Sequence, residues 1–211
     1  GGGTSYAAPL AAGAAALVRQ YFMDGYYPSG VPSSGAHITP SSALVKATLI
    51  NSGVNVKLEE PLPSYGQGWG RIGLDSALPF PGDLERLKVE DNPTTFQAGT
   101  DAPYSLKVQV MNSSIPLKVT LVWTDPPATP AAAISLVNDL NLTVSDGRRT
   151  YLGNVFRLGR SVAGGIADER NNVEQVLLSV PRAGTYTITV TPRSIPEGPQ
   201  GFSLVVRGSL P

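Results

Sequence analysis

The sequence predicts an α/β region followed by an all-β region, an antiparallel sandwich or jelly roll. Up to residue 82, apolar runs of helical character alternate with loops rich in glycine, proline and serine. From residue 83 onward, short runs rich in β-branched residues are separated by turn signals. Residues 79–82, Pro-Phe-Pro-Gly, interrupt the chain between these two patterns. We therefore expect two domains, residues 1–82 and 83–211.

Two helices are predicted in the first region. We expect a helix over residues 7–22. Its residues 10–18 are small and apolar on every face, which predicts a central helix of a layered α/β domain, buried all round. Pro9 is compatible with its first turn, where a backbone N–H has no partner within the helix anyway. A second helix is expected to begin after Thr39 or Ser41 as N-cap and to end at Gly53.

Six strands are predicted in the second region. Most of the runs alternate apolar with polar residues, and no helical period lies between them. They are residues 106–110, 117–123, 140–144, 173–180, 186–190 and 202–206. Short strands in such number, joined by turns, favour an antiparallel sandwich or jelly roll.

The composition excludes several classes of protein. The 211 residues include 16 basic and 16 acidic side chains, one histidine and no cysteine. Zero net charge argues against a nucleic-acid partner or an anionic membrane surface, because both need a basic surface. Without cysteine the chain has no disulfide, thiol nucleophile or cysteine metal site. The apolar run at residues 7–18 is too short for a membrane span, which needs about 20 residues.

One short segment suggests catalytic chemistry. Residues 3–9 read Gly-Thr-Ser-Tyr-Ala-Ala-Pro and run directly into the first predicted helix. At a helix N-terminus, free N–H groups and the helix dipole favour negative charge, as the oxyanion of an acyl-transfer intermediate requires. Ser5 is therefore a candidate nucleophile. The alternative is that Ser5 or Thr4 only caps the helix, which is the commoner role for a serine in this position.

The pattern Gly-Thr-Ser-x-Ala-x-Pro before a small-residue helix resembles the serine segment of subtilisin-like serine proteases, the subtilases. Tyr6 replaces the methionine that is most common there. Residues 26–30, 39–51 and 68–72 are similar to the end of a subtilase catalytic domain. The β region is similar to the C-terminal β-barrel or jelly-roll domain of the oxidatively stable alkaline subtilases. The stretches that carry this second similarity are 117–127, 136–140, 153–154, 171–174 and 198–202.

The resemblance implies specific roles near the start of the chain. Ser5 would be the nucleophile, its backbone N–H would form half of the oxyanion hole, and the Thr4 hydroxyl would support the oxyanion. Subtilases place their catalytic Asp and His, and the second oxyanion donor Asn, before the serine. We therefore expect this piece to be the C-terminal portion of such an enzyme, inactive alone. His37, in a polar loop, is expected to be a surface residue and not the base.

The resemblance also implies a polypeptide substrate, an extracellular location and no cofactor for catalysis. The missing N-terminal half of the catalytic domain would be a further partner. A structural calcium ion is also expected, because the family often binds calcium and hard oxygen side chains fill the β region. The four candidate ligands are Asp125, Asp139, Asp168 and Asn171. The alternative is that such residues only cap turns.

A second function class stays open at this point. The β region would then be a non-catalytic binding or stabilising module, and the serine segment a remnant of a protease. Sandwich folds host many unrelated functions, so the fold alone does not choose between the two.

Overall fold

Strands dominate the computed structural model, which describes residues 2–99 and 102–211. Two α-helices come first, α1 (Thr4–Met23) and α2 (Ser42–Asn51), with a short 3-10 turn at Ser34–Ala36 between them. Nine strands follow: β1 (Arg86–Phe96), β2 (Tyr104–Val110), β3 (Leu117–Val122), β4 (Asp139–Ser145), β5 (Thr150–Arg157), β6 (Arg160–Ala163), β7 (Val173–Leu178), β8 (Gly184–Ser194) and β9 (Gln200–Gly208).

The strands form two antiparallel sheets. The four-stranded sheet has the order β1-β9-β3-β7, and the five-stranded sheet has the order β2-β8-β4-β5-β6. Leu140, Leu142 and Val144 show how the sequence builds them, since every second side chain of β4 points into the space between the sheets. Trp123 is buried in the same core and its indole N–H donates to the carbonyl of Asn138 at 2.9 Å.

The outer face of the four-stranded sheet is covered by the helices. Val18 and Phe22 of α1 and Leu44 of α2 share an apolar cluster with Val89 and Val205 of the sheet. The strand β3 is consequently buried along its whole length, on both faces. The chain is thus a helical layer on a sheet that is itself packed on a second sheet.

The C-terminal end of α2 is fixed to that sheet by polar contacts. The Asn51 side chain donates to the Lys118 carbonyl at 3.3 Å and to the Thr120 hydroxyl at 3.0 Å. Lys118 Nζ donates in return to the carbonyl of Gly53 at 2.9 Å. Near the start of α2, Asp91 accepts hydrogen bonds from Ser41. These bonds tie residues on both sides of position 82 together.

The predicted fold class is wrong. No α/β subtilisin catalytic fold is present in the described residues: before Arg86 they form only helices, turns and isolated bridges, and the strands that follow pair antiparallel. The structure is mostly β, with two sheets. A parallel sheet needs several strands alternating with helices, and residues 2–82 contain two helices without any such strand. The division into domains at residue 82 stays a prediction.

The expected burial of the first helix is also wrong. Only Val18, Tyr21 and Phe22 of α1 are buried, and Leu10 is 75% exposed. The small apolar side chains allow close packing on every face, but the described elements pack only on the C-terminal turns of α1.

The second helix was predicted correctly. Ser41 is its N-cap, with its hydroxyl accepting from the Leu44 N–H at 3.0 Å. Each of the six predicted runs contains a strand, whereas β1, β5 and β6 were not predicted. In the described residues, neither helix combines the length and hydropathy that a membrane crossing would require.

Candidate active site

Ser5 lies in the first turn of α1. The helix begins at Thr4, and the carbonyl of its N-cap Gly3 accepts the N–H groups of Tyr6 at 3.1 Å and Ala7 at 3.2 Å. Gly3 has φ 138°, a conformation that glycine adopts with little strain. The amide of Ser5 is among the first four of the helix, which lack an acceptor within it. An anion near this end would therefore meet a free N–H and the positive end of the helix dipole.

The side chains at this end of the helix face solvent. Thr4, Ser5 and Tyr6 are all exposed. The Ser5 hydroxyl is therefore accessible and is not held in apolar packing. It does not cap the helix either, since the N-cap is Gly3.

The one histidine of the sequence lies at the opposite end of α1. His37 Nδ1 is 2.5 Å from the carbonyl of Met23, the last residue of the helix, and its Nε2 is 3.3 Å from the Thr39 hydroxyl. At about 1.5 Å per residue, the helix places Ser5 and Met23 about 27 Å apart. A general base needs hydrogen-bond reach to its nucleophile, so His37 is excluded from that role in this arrangement.

Asp125 and Asp168, two of the predicted calcium ligands, already accept hydrogen bonds. Asp125 accepts the N–H groups of Val137 and Asn138, each at 2.8 Å. Asp168 Oδ2 accepts from the Asn154 and Asn171 side-chain amides, each at 2.6 Å. Burial opposes the charge of Asp168, but these hydrogen bonds outweigh it and lower its pKa. Both carboxylates hold the loops in place.

Asp139, the third predicted aspartate ligand, lies among several other acidic side chains. Burial raises its pKa to about 6, and the charges of Glu169, Asp168 and Asp125 add to this effect while Arg193 opposes it. Asp139 Oδ1 is buried and has no hydrogen-bond partner among the described residues. A carboxyl group in this setting is protonated more readily than one in water.

Glu174 lies in the same region and is 1% exposed. Its Oε2 accepts the N–H of Leu142 at 2.6 Å, while its Oε1 has no hydrogen-bond partner among the described residues. Burial, reinforced by the charges of Asp168 and Asp139 and opposed by the hydrogen bond from Leu142, raises the pKa of Glu174 to about 8. Glu174 is therefore largely protonated near neutral pH.

The calcium site that the resemblance implies stays a prediction. Calcium takes six to eight oxygen ligands, whereas Asp125 and Asp168 already accept amide N–H groups on both carboxylate oxygens. Within residues 2–99 and 102–211, no group of three or more histidine, cysteine, aspartate or glutamate side chains could hold a metal.

Lys118 is a buried cation that the sequence did not indicate. It lines a cavity of about 360 Å³ between the segment after α2 and the sheet. Burial lowers its pKa to about 8, with Arg207 reinforcing and Glu85 opposing the shift. The alternation in β3 suggests an exposed side chain at this position, and only the packing of α2 on that face reverses it.

Residues 1–70 match Peptidase_S8, the subtilase family. The "Serine protease/ABC transporter B family protein tagA" of Dictyostelium discoideum is 33% identical over 221 residues, which cover 98% of this chain and 12% of that protein. The tagD protein of the same name and organism is 28% identical over 98% of this chain and 14% of its own length.

The chain thus spans about one-eighth of the length of these relatives. Among solved structures, the P-domain of Penaeus vannamei nodavirus aligns at 15% identity over 56% of this chain and 94% of its own, with a TM-score of 0.26. At that score the likeness carries no argument. The match over residues 1–70 confirms the resemblance to the subtilase family of serine proteases that the residues around Ser5 predicted.

Proposed function

We propose that this chain supplies the nucleophile of a subtilase-type serine endopeptidase, which cleaves polypeptides through an acyl-enzyme at Ser5. The observation that carries the proposal is the exposed Ser5 hydroxyl in the first turn of α1, inside the family-matched segment. An extracellular location, which the family resemblance implies, belongs to the same proposal.

The chemistry at Ser5 follows from its position. Its oxygen attacks the scissile carbonyl, a bond forms between Oγ and the carbonyl carbon, and the carbonyl oxygen becomes negatively charged. The Ser5 N–H, free at the helix start, donates to that oxyanion, and the Thr4 hydroxyl supports it. One such donor contributes about 3–4 kcal/mol to the transition state, and the helix dipole adds roughly 0.3–1 kcal/mol.

The proton of Ser5 needs an acceptor. We propose that a histidine outside these 211 residues takes it, is oriented by an aspartate, and later gives it to the leaving amine as the C–N bond breaks. Water then hydrolyses the acyl-enzyme. The proposal is supported by the position of His37. It is the one histidine of the sequence, and it lies too far from Ser5 to accept the proton. On its own, the 211-residue chain should therefore hydrolyse no peptide.

The test is a matched pair of serine variants in the longer polypeptide that carries the histidine. Ser5→Ala should lower kcat/KM for a peptide substrate by about 10⁴-fold or more. Ser34→Ala, in the exposed 3-10 turn, removes the same hydroxyl from a surface position and should leave kcat/KM unchanged.

Two outcomes would contradict the proposal. Full activity of Ser5→Ala would show that another residue is the nucleophile, or that this segment is a remnant beside a binding module. Turnover by the isolated 211-residue chain would show that no outside base is needed.

A further inference from the structure

A cavity of about 630 Å³ opens where the edges of the two sheets meet. It is lined by the turn between β4 and β5, by all four residues of β6, and by the segment that follows β7. The strand β6 is the edge of the five-stranded sheet, and β7 is the edge of the four-stranded sheet. The Ser161 hydroxyl of β6 accepts the N–H of Leu177 of β7 at 2.9 Å, which holds the two edges together.

Four arginines surround this cavity. Arg148 and Arg149 come from the turn, Arg160 from β6 and Arg182 from the segment after β7. All four are exposed, and the salt bridges of the described residues lie elsewhere in the chain. In a protein of zero net charge, this is a local concentration of unpaired positive charge.

The single carboxylate in the lining does not neutralise these arginines. Asp146 Oδ1 accepts the backbone N–H groups of Arg149 at 2.7 Å and Arg148 at 2.9 Å. These bonds, together with the charge of Arg182, lower the pKa of Asp146, so it is ionised at neutral pH. The cavity therefore retains an excess of three positive charges.

The strand β6 gives the cavity a second means of recognition. One side of it pairs with β5, through Phe156↔Ser161 and Arg157↔Arg160, while its other side ends the sheet. An edge strand presents backbone N–H and C=O groups to which an extended peptide can add as a further strand. Tyr186 stiffens the rim, because its hydroxyl accepts the N–H of Arg182 at 2.9 Å.

We propose that this cavity binds an acidic polypeptide segment in an extended conformation, paired with β6 and with its carboxylates against the four arginines. Alternate residues of a strand lie on the same face, about 7 Å apart, so the recognised pattern is an acid at every second position. A nucleic acid would satisfy the arginines, but its phosphodiester backbone has no N–H to donate to the β6 carbonyls. This proposal does not depend on catalysis by Ser5.

The test is fluorescence anisotropy of labelled ten-residue peptides on the full 211-residue chain. A peptide that alternates Asp and Thr should bind at least tenfold more tightly than the same peptide with Asn in place of Asp. High salt should weaken the binding of the Asp peptide. N-methylation of the amides on one edge of the peptide should abolish binding, while methylation of the other edge should leave it intact. Equal binding of the Asp and Asn peptides would overturn the proposal.

Variants that remove arginine charges test whether the peptide binds in this cavity. The triple variant Arg148→Gln/Arg160→Gln/Arg182→Gln removes charge from three separate segments. It should weaken binding of the Asp peptide about tenfold, because each exposed ion pair contributes roughly two- to threefold to the affinity. The control Lys46→Gln/Arg71→Gln/Lys107→Gln removes the same charge from exposed positions elsewhere and should change binding less than twofold. Equal losses in both triple variants would overturn the proposal. It would also be overturned if tripolyphosphate binds as tightly as the peptide and N-methylation of either peptide edge has no effect.

Discussion

The two sheets and the first turns of α1 are both apolar, yet they bury their side chains very differently. Leu204 of β9 is 0% exposed, whereas Leu10 of α1 is 75% exposed. Each sheet has an apolar face that the other sheet covers, so the sheets close a core between them. A helix that is apolar on all faces needs neighbours on all faces, and the described elements supply them only at its C-terminal turns. The same openness leaves Ser5 accessible.

The largest expected effect compares one substitution in the two regions. Leu204→Ala removes a fully buried side chain and should lower the free energy of unfolding of the 211-residue chain by about 2–5 kcal/mol. Leu10→Ala makes the same chemical change on the exposed face of α1 and should cost less than about 0.5 kcal/mol. Urea denaturation followed by circular dichroism measures both. Equal losses would mean that α1 is packed as tightly as the sheets.

A smaller effect is expected from the buried carboxyl group of Glu174. Its pKa is about 8 in the folded chain against an ordinary value of 4.5, so the folded state holds its proton more tightly than the unfolded state. The contribution of Glu174 to stability is therefore present below pH 4.5 and is lost as the pH rises towards 8.

The variant Glu174→Gln should remove this loss, which amounts to a few kcal/mol between the two ends of that range because one pKa unit corresponds to about 1.4 kcal/mol. The measurement is the difference in unfolding free energy between variant and parent at several pH values, which cancels the similar contribution of Asp139. Glu59→Gln, at an exposed position, is the matched control and should follow the parent. A difference that does not change with pH would contradict the protonated state of Glu174.

The smallest effect is expected from calcium. Because Asp125 and Asp168 already accept amide N–H groups on both carboxylate oxygens, calcium should change the Tm by less than about 1 °C relative to a chelator. Thermal denaturation in the two conditions decides this. A rise of several degrees that the chelator removes would mean that the loops around Asp139 and Asp168 rearrange into the site predicted from the sequence.

Local signals in the sequence were sufficient for part of the fold. Ser41 marks the start of α2 because its hydroxyl caps the helix, and the alternation of leucines in β4 marks a strand with one buried face. The strand β5 escaped prediction because Gly153 and Asn154 interrupt its apolar pattern. Gly153 leaves room for the side chain of Glu174, which packs against it, and this contact joins residues far apart in sequence.

Which side chains are buried depends on which elements pack together, and no local sequence pattern predicts that packing. Lys118 alternates with apolar neighbours as an exposed residue would, but α2 covers that face of the sheet. The small residues of α1 indicated burial on all sides, which the described elements do not provide. For the candidate site, the motif around Ser5 is contiguous and identified the family. The arginine cavity is assembled from three separate segments, so its residues carry no signal in the sequence.

The most direct test of the central claim is to label the active longer protein with a serine-directed phosphonate and locate the adduct by mass spectrometry. A single adduct on Ser5, formed in step with the loss of peptidase activity, is the predicted result. Complete inhibition with the adduct on a different residue would contradict the assignment of Ser5 as the nucleophile.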